Sequence, residues 1–246
     1  MTYVIMWNPF KKITYQSSIN GTITIGNRND EKALYSGGVT QSGGEIAPMW
    51  DEVIKKIYCH LPKGVCDLQF ISGSKLKRTK IQKEILKRVQ DDMGKHILIL
   101  GVGGGSVINA IRKYDTTTKI TGIELDPMMK QVALEQFEIK ENAKQKIVIA
   151  DAIAWLQKQS RISRLVYDTI IVDLYIGPLN PPKSREKTFL LQLKKLLKQN
   201  GTILYNAHYQ KKNSGEYEAF REIIDKTFKN VDEVFSYPLN RVLLLQ

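Results

Sequence analysis

At 246 residues, 42% hydrophobic and 25% charged, the chain has the composition of a packed globular protein, with room for one sizeable α/β domain and a small appendage; a disordered or fibrous class is excluded. No apolar run approaches the roughly 20 residues that span a bilayer, and Met1 to Asn8 lack the basic and apolar regions of a secretory signal, so a soluble, cytoplasmic protein with no membrane partner is expected. Lys and Arg outnumber Asp and Glu by 37 to 25, a net charge of +12 that suits an anionic partner and disfavours a strongly cationic substrate.

Residues 12 to 36 carry short β-prone stretches (Ile13 to Gln16, Thr22 to Ile25, Ala33 to Tyr35) separated by Asn20-Gly21 and a polar run, which predicts a small antiparallel hairpin or meander. Glycine pairs at 37–38 and 43–44 then break the chain. From Ala47 to Tyr58, Met49, Trp50, Val53, Ile54 and Ile57 recur at helical spacing and predict a helix. Cys59 and Cys66 bracket His60, but a zinc site needs about four ligands and the other histidines, His96 and His208, lie in unrelated segments; free thiols and no metal are expected.

Between Lys75 and Arg88, seven basic residues face Glu84 alone and supply half of the net charge. Thr79 and Gln82 form a capping-box pattern, with Ile81, Ile85, Leu86 and Val89 along one side, so this segment reads as an amphipathic helix. A solvated face explains it. Nucleic-acid binding is the alternative, and it lacks any aromatic residue between Ser72 and His96 to stack on a base.

Beyond His96 the pattern alternates. Strands are predicted at 96–100, 119–124, 146–150, 169–173 and 202–205, and helices at 106–113, 127–137, 152–157 and 186–198, with Asn200-Gly201 as a helix stop. A last helix (216–228) precedes two strands, 231–235 and 241–245. The chain thus divides into a β-rich region (1–46), a leading helix with the basic segment (47–95) and a Rossmann-like nucleotide-binding domain (96–246), a mostly parallel sheet ending in an antiparallel pair, as in the class I methyltransferase fold.

Four features carry the chemistry. Gly101, Gly103, Gly104 and Gly105 follow a buried strand and open a helix, letting backbone approach a nucleotide closely. Glu124 ends the next strand, where an acidic side chain can accept hydrogen bonds from both ribose hydroxyls. Asp151 follows the third strand; it can accept from an adenine amino group while the Ala152 amide addresses the ring, or it can simply cap the helix that follows. Asp173 ends the fourth strand, at the open edge of the sheet, and can hold or deprotonate an amine; a cap for the following loop is the alternative. Tyr175, two residues on, is grouped with the substrate.

At these residues the chain resembles the spermidine synthase-like family of aminopropyltransferases. Tyr15-Gln16, Tyr35 to Gln41, Ile123 to Pro127, Ala150 to Ala152 and Tyr167 to Asp173 are similar to successive family motifs. The resemblance implies that Gln16 and Gln41 face the nucleosyl ligand or substrate, that Glu124 holds the ribose, Asp151 the adenine and Asp173 the amine, and that the ligand is S-adenosylmethionine or its decarboxylated form. It does not extend to residues 67–93, which look like an insertion. Two family carboxylates are replaced, one by Gly104 and one by Ile176. Their loss tilts the expectation towards methyl transfer from intact S-adenosylmethionine to an amine or other small acceptor. A true aminopropyltransferase using putrescine is the rival, and a non-catalytic nucleotide- or RNA-binding module the third reading. The hairpin is a candidate homodimer surface.

Overall fold

The computed structural model describes residues 12–28, 31–58, 96–162 and 166–246. The cysteines, the basic helix with its Thr79–Gln82 cap and the 67–93 insertion lie outside them. Four strands, β1 (Ile13–Ser17), β2 (Gly21–Arg28), β3 (Glu31–Ser36) and β4 (Val39–Gly43), form an antiparallel meander. The Gly37-Gly38 pair is a tight turn within it, because Ser36 pairs with Val39 and both glycines take positive φ (58° and 78°), which the two-residue hairpin demands.

Helix α1 (Ile46–Tyr58) leads to a seven-stranded sheet built from β5 (His96–Leu100), β6 (Lys119–Glu124), β7 (Gln145–Ile149), β8 (Tyr167–Val172), β9 (Leu197–His208), β10 (Val231–Tyr237) and β11 (Asn240–Leu245). Their order is β10-β11-β9-β8-β5-β6-β7. The pairs from β9 through to β7 are parallel, and β11 runs antiparallel to both its neighbours. The chain steps outward from β5 to β7 and then returns to β8 on the other side of β5, creating the crevice at the C-terminal strand ends where ligands bind in open α/β sheets.

Five more helices, α2 (Ser106–Tyr114), α3 (Pro127–Gln136), α4 (Ala152–Ile162), α5 (Lys187–Leu196) and α6 (Ser214–Thr227), cover the two faces. All six residues of β8 are buried, as a central strand covered on both faces requires. One core joins α1, through Trp50, Val53, Ile54 and Ile57, to Val107 and Ile111 of α2. The other packs Leu156 of α4, Phe189 and Leu193 of α5 and Phe220 of α6 on the opposite face. Helix α1 is thus one wall of the core that it shares with α2. The meander has its own cluster, Ile23, Ile25 and Leu34, seated on Met129 and Val132 of α3.

One expected element is corrected. Asn200-Gly201 does not stop a helix: α5 ends at Leu196 and β9 begins at once, carrying both residues in a strand with an irregular register against β8. A Cβ on Gly201 would meet the Asp168 carbonyl oxygen at 2.9 Å and the Leu197 side chain at 2.8 Å, so close strand packing rather than a helix terminus requires glycine there. Among the described residues no helix is long and apolar enough to cross a membrane.

Candidate functional site

A cavity of about 280 Å³ opens at the C-terminal ends of the parallel strands, with the β3–β4 hairpin over it. Gly101 and Gly103 form its floor. Gly101 has φ 87°, and a Cβ there would lie 2.2 Å from the Asp173 carbonyl oxygen, so no other residue lets β5 turn against β8 this tightly. The turn closes with Gly105 N–H donating to Val102 at 2.9 Å, and Gly105 starts α2 with no side-chain cap.

Glu124 sits at the end of β6, buried but on the cavity wall. Its Oε2 accepts from the backbone N–H of Val102 (3.0 Å) and Gly103 (2.9 Å), and its Oε1 from Asp126 N–H (3.0 Å). Burial raises its pKa, while these three N–H groups favour the charged form. The carboxylate therefore shapes the glycine turn as well as facing the cavity. Asp126, two residues on, caps α3 through Met128 N–H (2.8 Å) and accepts from Ser17 Oγ (2.5 Å) and Asn20 Nδ2 (2.6 Å), which clamps the meander onto the sheet.

Asp173 is held from two sides. Trp50 Nε1 on α1 donates to its Oδ2 at 3.0 Å, and Asn206 Nδ2 on β9 donates to its Oδ1 at 2.8 Å. Asn240 Nδ2 on β11 donates to Asn206 Oδ1 (3.0 Å) and to the Tyr175 hydroxyl (2.9 Å), extending the network across three strand ends. Burial pushes the Asp173 carboxyl up to about 6, with the Glu124 charge adding to the rise and its two donors opposing it. Burial and the neighbouring Asp173 charge keep Tyr175 protonated, its pKa well above the usual phenol range. The loop carrying Tyr175 is stapled by Asn180, whose Nδ2 donates to the carbonyls of Leu174 (2.8 Å) and Asn206 (3.1 Å).

The structure brings Gln41, Gly101, Gly103, Glu124, Asp173 and Tyr175 to this one cavity. Gln41 donates from Nε2 to the Gly177 carbonyl at 3.2 Å, joining β4 to the loop after β8. Five expected site residues lie elsewhere, among them Gly105, where a Cβ would meet the Ile139 side chain at 2.5 Å. Gln16 is exposed and exchanges hydrogen bonds with Thr22 (3.3 and 3.4 Å), because alternation along β1 turns Tyr15 towards α3 and Gln16 away. Asp151 caps α4, accepting from Ile153 (2.8 Å) and Ala154 (3.1 Å), which is the capping alternative; neither it nor buried Ala152 lines the cavity. A Cβ on Gly104 would meet Ser42 Cβ at 2.6 Å and Phe137 at 3.3 Å, so this glycine faces β4 and α3. Ile176, 64% exposed, turns away from the cavity its neighbours line.

Asp at position 104 would thus strike β4, where Ser42 and Ser106 share a 2.6 Å hydroxyl contact that ties β4 to α2. Gly104→Asp is expected to destabilise the fold by about 1–3 kcal/mol, as overpacking does, without switching ligand preference. Thermal unfolding, with affinities for S-adenosylmethionine and its decarboxylated form, checks this; stable protein with reversed preference would contradict it.

Sequence reasoning missed Asn20, Glu45, Asn206, His208 and Asn240, all on the cavity wall, and Trp50 behind it. A signal existed for two of them: Asn206 and His208 are polar residues ending the apolar run Ile203-Leu-Tyr. Among the described residues the wall carries three carboxylates, Glu45, Glu124 and Asp173, and neither lysine nor arginine. The described wall is thus acidic although the chain carries a net charge of +12.

Residues 84–240 match the spermine/spermidine synthase domain family. Relatives include the eEF1A lysine and N-terminal methyltransferase homolog of Drosophila pseudoobscura pseudoobscura, 27% identical over 49% of this chain and 19% of that one. The polyamine aminopropyltransferase of Vibrio vulnificus is 29% identical over 45% of this chain and 36% of its own. The N-terminal histidine N-methyltransferase of Emericella nidulans is 28% identical over 62% and 27%. The chain thus spans well under half the length of these relatives. Among solved structures, a probable spermidine synthase from Corynebacterium glutamicum superposes with TM-score 0.68 at 16% identity, covering 95% of this chain and 79% of that one. Human methyltransferase-like protein 13, in complex with SAH, gives 0.58 at 23% identity over 66% and 78%. The fold is shared with both, and the chain belongs to the spermine/spermidine synthase family.

Proposed function

We propose that the protein is an S-adenosylmethionine-dependent transferase that methylates an amine. The observation that carries this reading is the pairing, in one acidic cavity, of a buried carboxylate beside a glycine turn with a second carboxylate held by two neutral donors. Glu124 and the turn fit a ribose and its nucleoside, for the carboxylate faces the cavity and no side chain occupies the positions of Gly101 and Gly103. S-adenosylmethionine supplies a carbon made electrophilic by a sulfonium. Asp173 anchors the amine, its charge unshared with any lysine or arginine of the wall, and Tyr175 stays protonated and oriented by Asn240. Positioning of the two reactants supplies most of the rate.

Methyl rather than aminopropyl transfer is favoured because neither Gly104 nor Ile176 adds a carboxylate for a diamine's second charge. Glu45 is the observation that favours the rival, since it supplies another carboxylate to the same wall. Calorimetry with S-adenosylhomocysteine, followed by mass spectrometry of products formed from an amine panel that includes putrescine, separates the two readings. Methylated amine supports the first reading. Spermidine formed from decarboxylated S-adenosylmethionine and putrescine overturns it in favour of the second, and absence of nucleoside binding at millimolar concentration removes both.

A further inference from the structure

The cavity wall holds a buried polar side chain with an unpartnered ring nitrogen. His208, the last residue of β9, is 7% exposed, and its Nε2 is sealed from solvent with no hydrogen-bond partner. No other described residue bonds either ring nitrogen, although its backbone is fully engaged: N–H donates to Asn180 Oδ1 at 2.7 Å and C=O accepts from Arg185 Nη2 at 2.9 Å. It pairs in register with Asn240 of β11, whose side chain belongs to the Asp173 network. A buried polar atom without a partner costs about 1–3 kcal/mol, so a fold that keeps one beside a cavity calls for a reason.

We infer that His208 is a further catalytic residue, the base that takes the proton of the acceptor ammonium while Asp173 holds its charge. The inference rests on the proposed transfer to an amine. Donors on both Asp173 oxygens hold that carboxylate in place with lone pairs left over for an ammonium, and the neutral imidazole offers a second lone pair for the proton. The charges acting on His208 are Arg185, on the turn before α5, and Glu216, on α6; burial first and Arg185 second lower its pKa, leaving it neutral and able to accept. An ammonium has no lone pair and cannot displace a sulfonium. In the step, an N–H proton moves from the ammonium to the imidazole, the freed pair forms the N–C bond, and the C–S bond breaks with its electrons passing to sulfur, which becomes a neutral thioether. The imidazolium then passes a proton on through its other ring nitrogen, Nδ1, as product leaves, and returns to the neutral form. The nearby sulfonium charge assists by lowering the ammonium's own pKa.

The chain has only three histidines, so ¹⁵N-histidine labelling of the full chain reads His208 directly, with assignment by H208Q or, if that variant does not fold, by H60Q and H96Q. Putrescine and a lysine-containing tripeptide with a free α-amine are titrated into the protein with and without S-adenosylhomocysteine. The expected result is that at least one probe moves the His208 ring signals and leaves those of His60 and His96 in place. H208Q should keep its S-adenosylhomocysteine affinity within about twofold and its amine KM within about threefold, while kcat falls about 100-fold, the lower range for loss of a general base. His208 signals unmoved by both probes overturn the inference, as does H208Q turnover within threefold of wild type. Failure of the wild type to bind S-adenosylhomocysteine instead sinks the transferase reading, and the titration without it still decides whether an amine reaches His208.

Discussion

Asp173→Asn is expected to lower kcat/KM for the amine acceptor on the order of a hundred- to a thousandfold while leaving nucleoside affinity within a fewfold. The carboxylate is the proposed anchor for a cation in a cavity with no basic residue among the described ones, and removing one partner of a buried charge pair costs about 3–5 kcal/mol. The same residue sets a pH dependence. With its pKa pushed up to about 6, Asp173 loses its charge as the pH falls through that value, so kcat/KM should decline below about pH 6, and in D173N this limb should be missing. The effect on stability has the opposite sense. A carboxyl whose folded pKa lies above its unfolded value contributes stability below the unfolded pKa, near 4, and that contribution is lost as the pH rises through about 6. The melting temperature of D173N relative to wild type should therefore rise between pH 4 and pH 7. Steady-state kinetics and thermal melts across that range check both signs, and a D173N enzyme within tenfold of wild type would remove Asp173 from the anchoring role.

The second large effect is expected at Glu124. Glu124→Ala removes the proposed acceptor for a ribose and, at once, the acceptor for the N–H groups of Val102, Gly103 and Asp126. Each charge-assisted bond contributes about 1.5–3 kcal/mol, so the affinity for S-adenosylhomocysteine should fall by more than a hundredfold. Because the glycine turn is also released, the melting temperature should drop as well. Glu124→Gln, which retains one acceptor oxygen, should fall between the two in both measurements. Calorimetry showing affinity unchanged within twofold in the alanine variant would exclude Glu124 from the ligand site.

The parallel sheet and its glycine turn were legible because both are local: an apolar run, a glycine cluster and a carboxylate at the next strand end each announce themselves within a few residues. What was not legible depended on direction. Gln16 and Ile176 sit beside residues that face α3 or the cavity, and only the pairing of β1 with β2 and the course of the loop after β8 decide which neighbour turns outward. Asp151 carried two readings at one position, and only its distance from the cavity separates them. Gly104 shows the limit of motif comparison, since its side-chain vector points at Ser42 and the position holds glycine for packing. Trp50 was read as core, correctly for its ring; its indole N–H reaches Asp173 across 123 positions, a separation no local pattern reports.

That indole gives the protein a built-in optical probe. The chain has three tryptophans, and Trp50 is fully buried with its one polar side-chain atom donating to Asp173, the proposed anchor of the acceptor. Its emission is sensitive to whether that neighbour is charged, neutral or paired with a cation. Intrinsic fluorescence, compared between wild type and W50F, can therefore follow the titration of Asp173 and the arrival of an amine in real time, without a label and before any product forms.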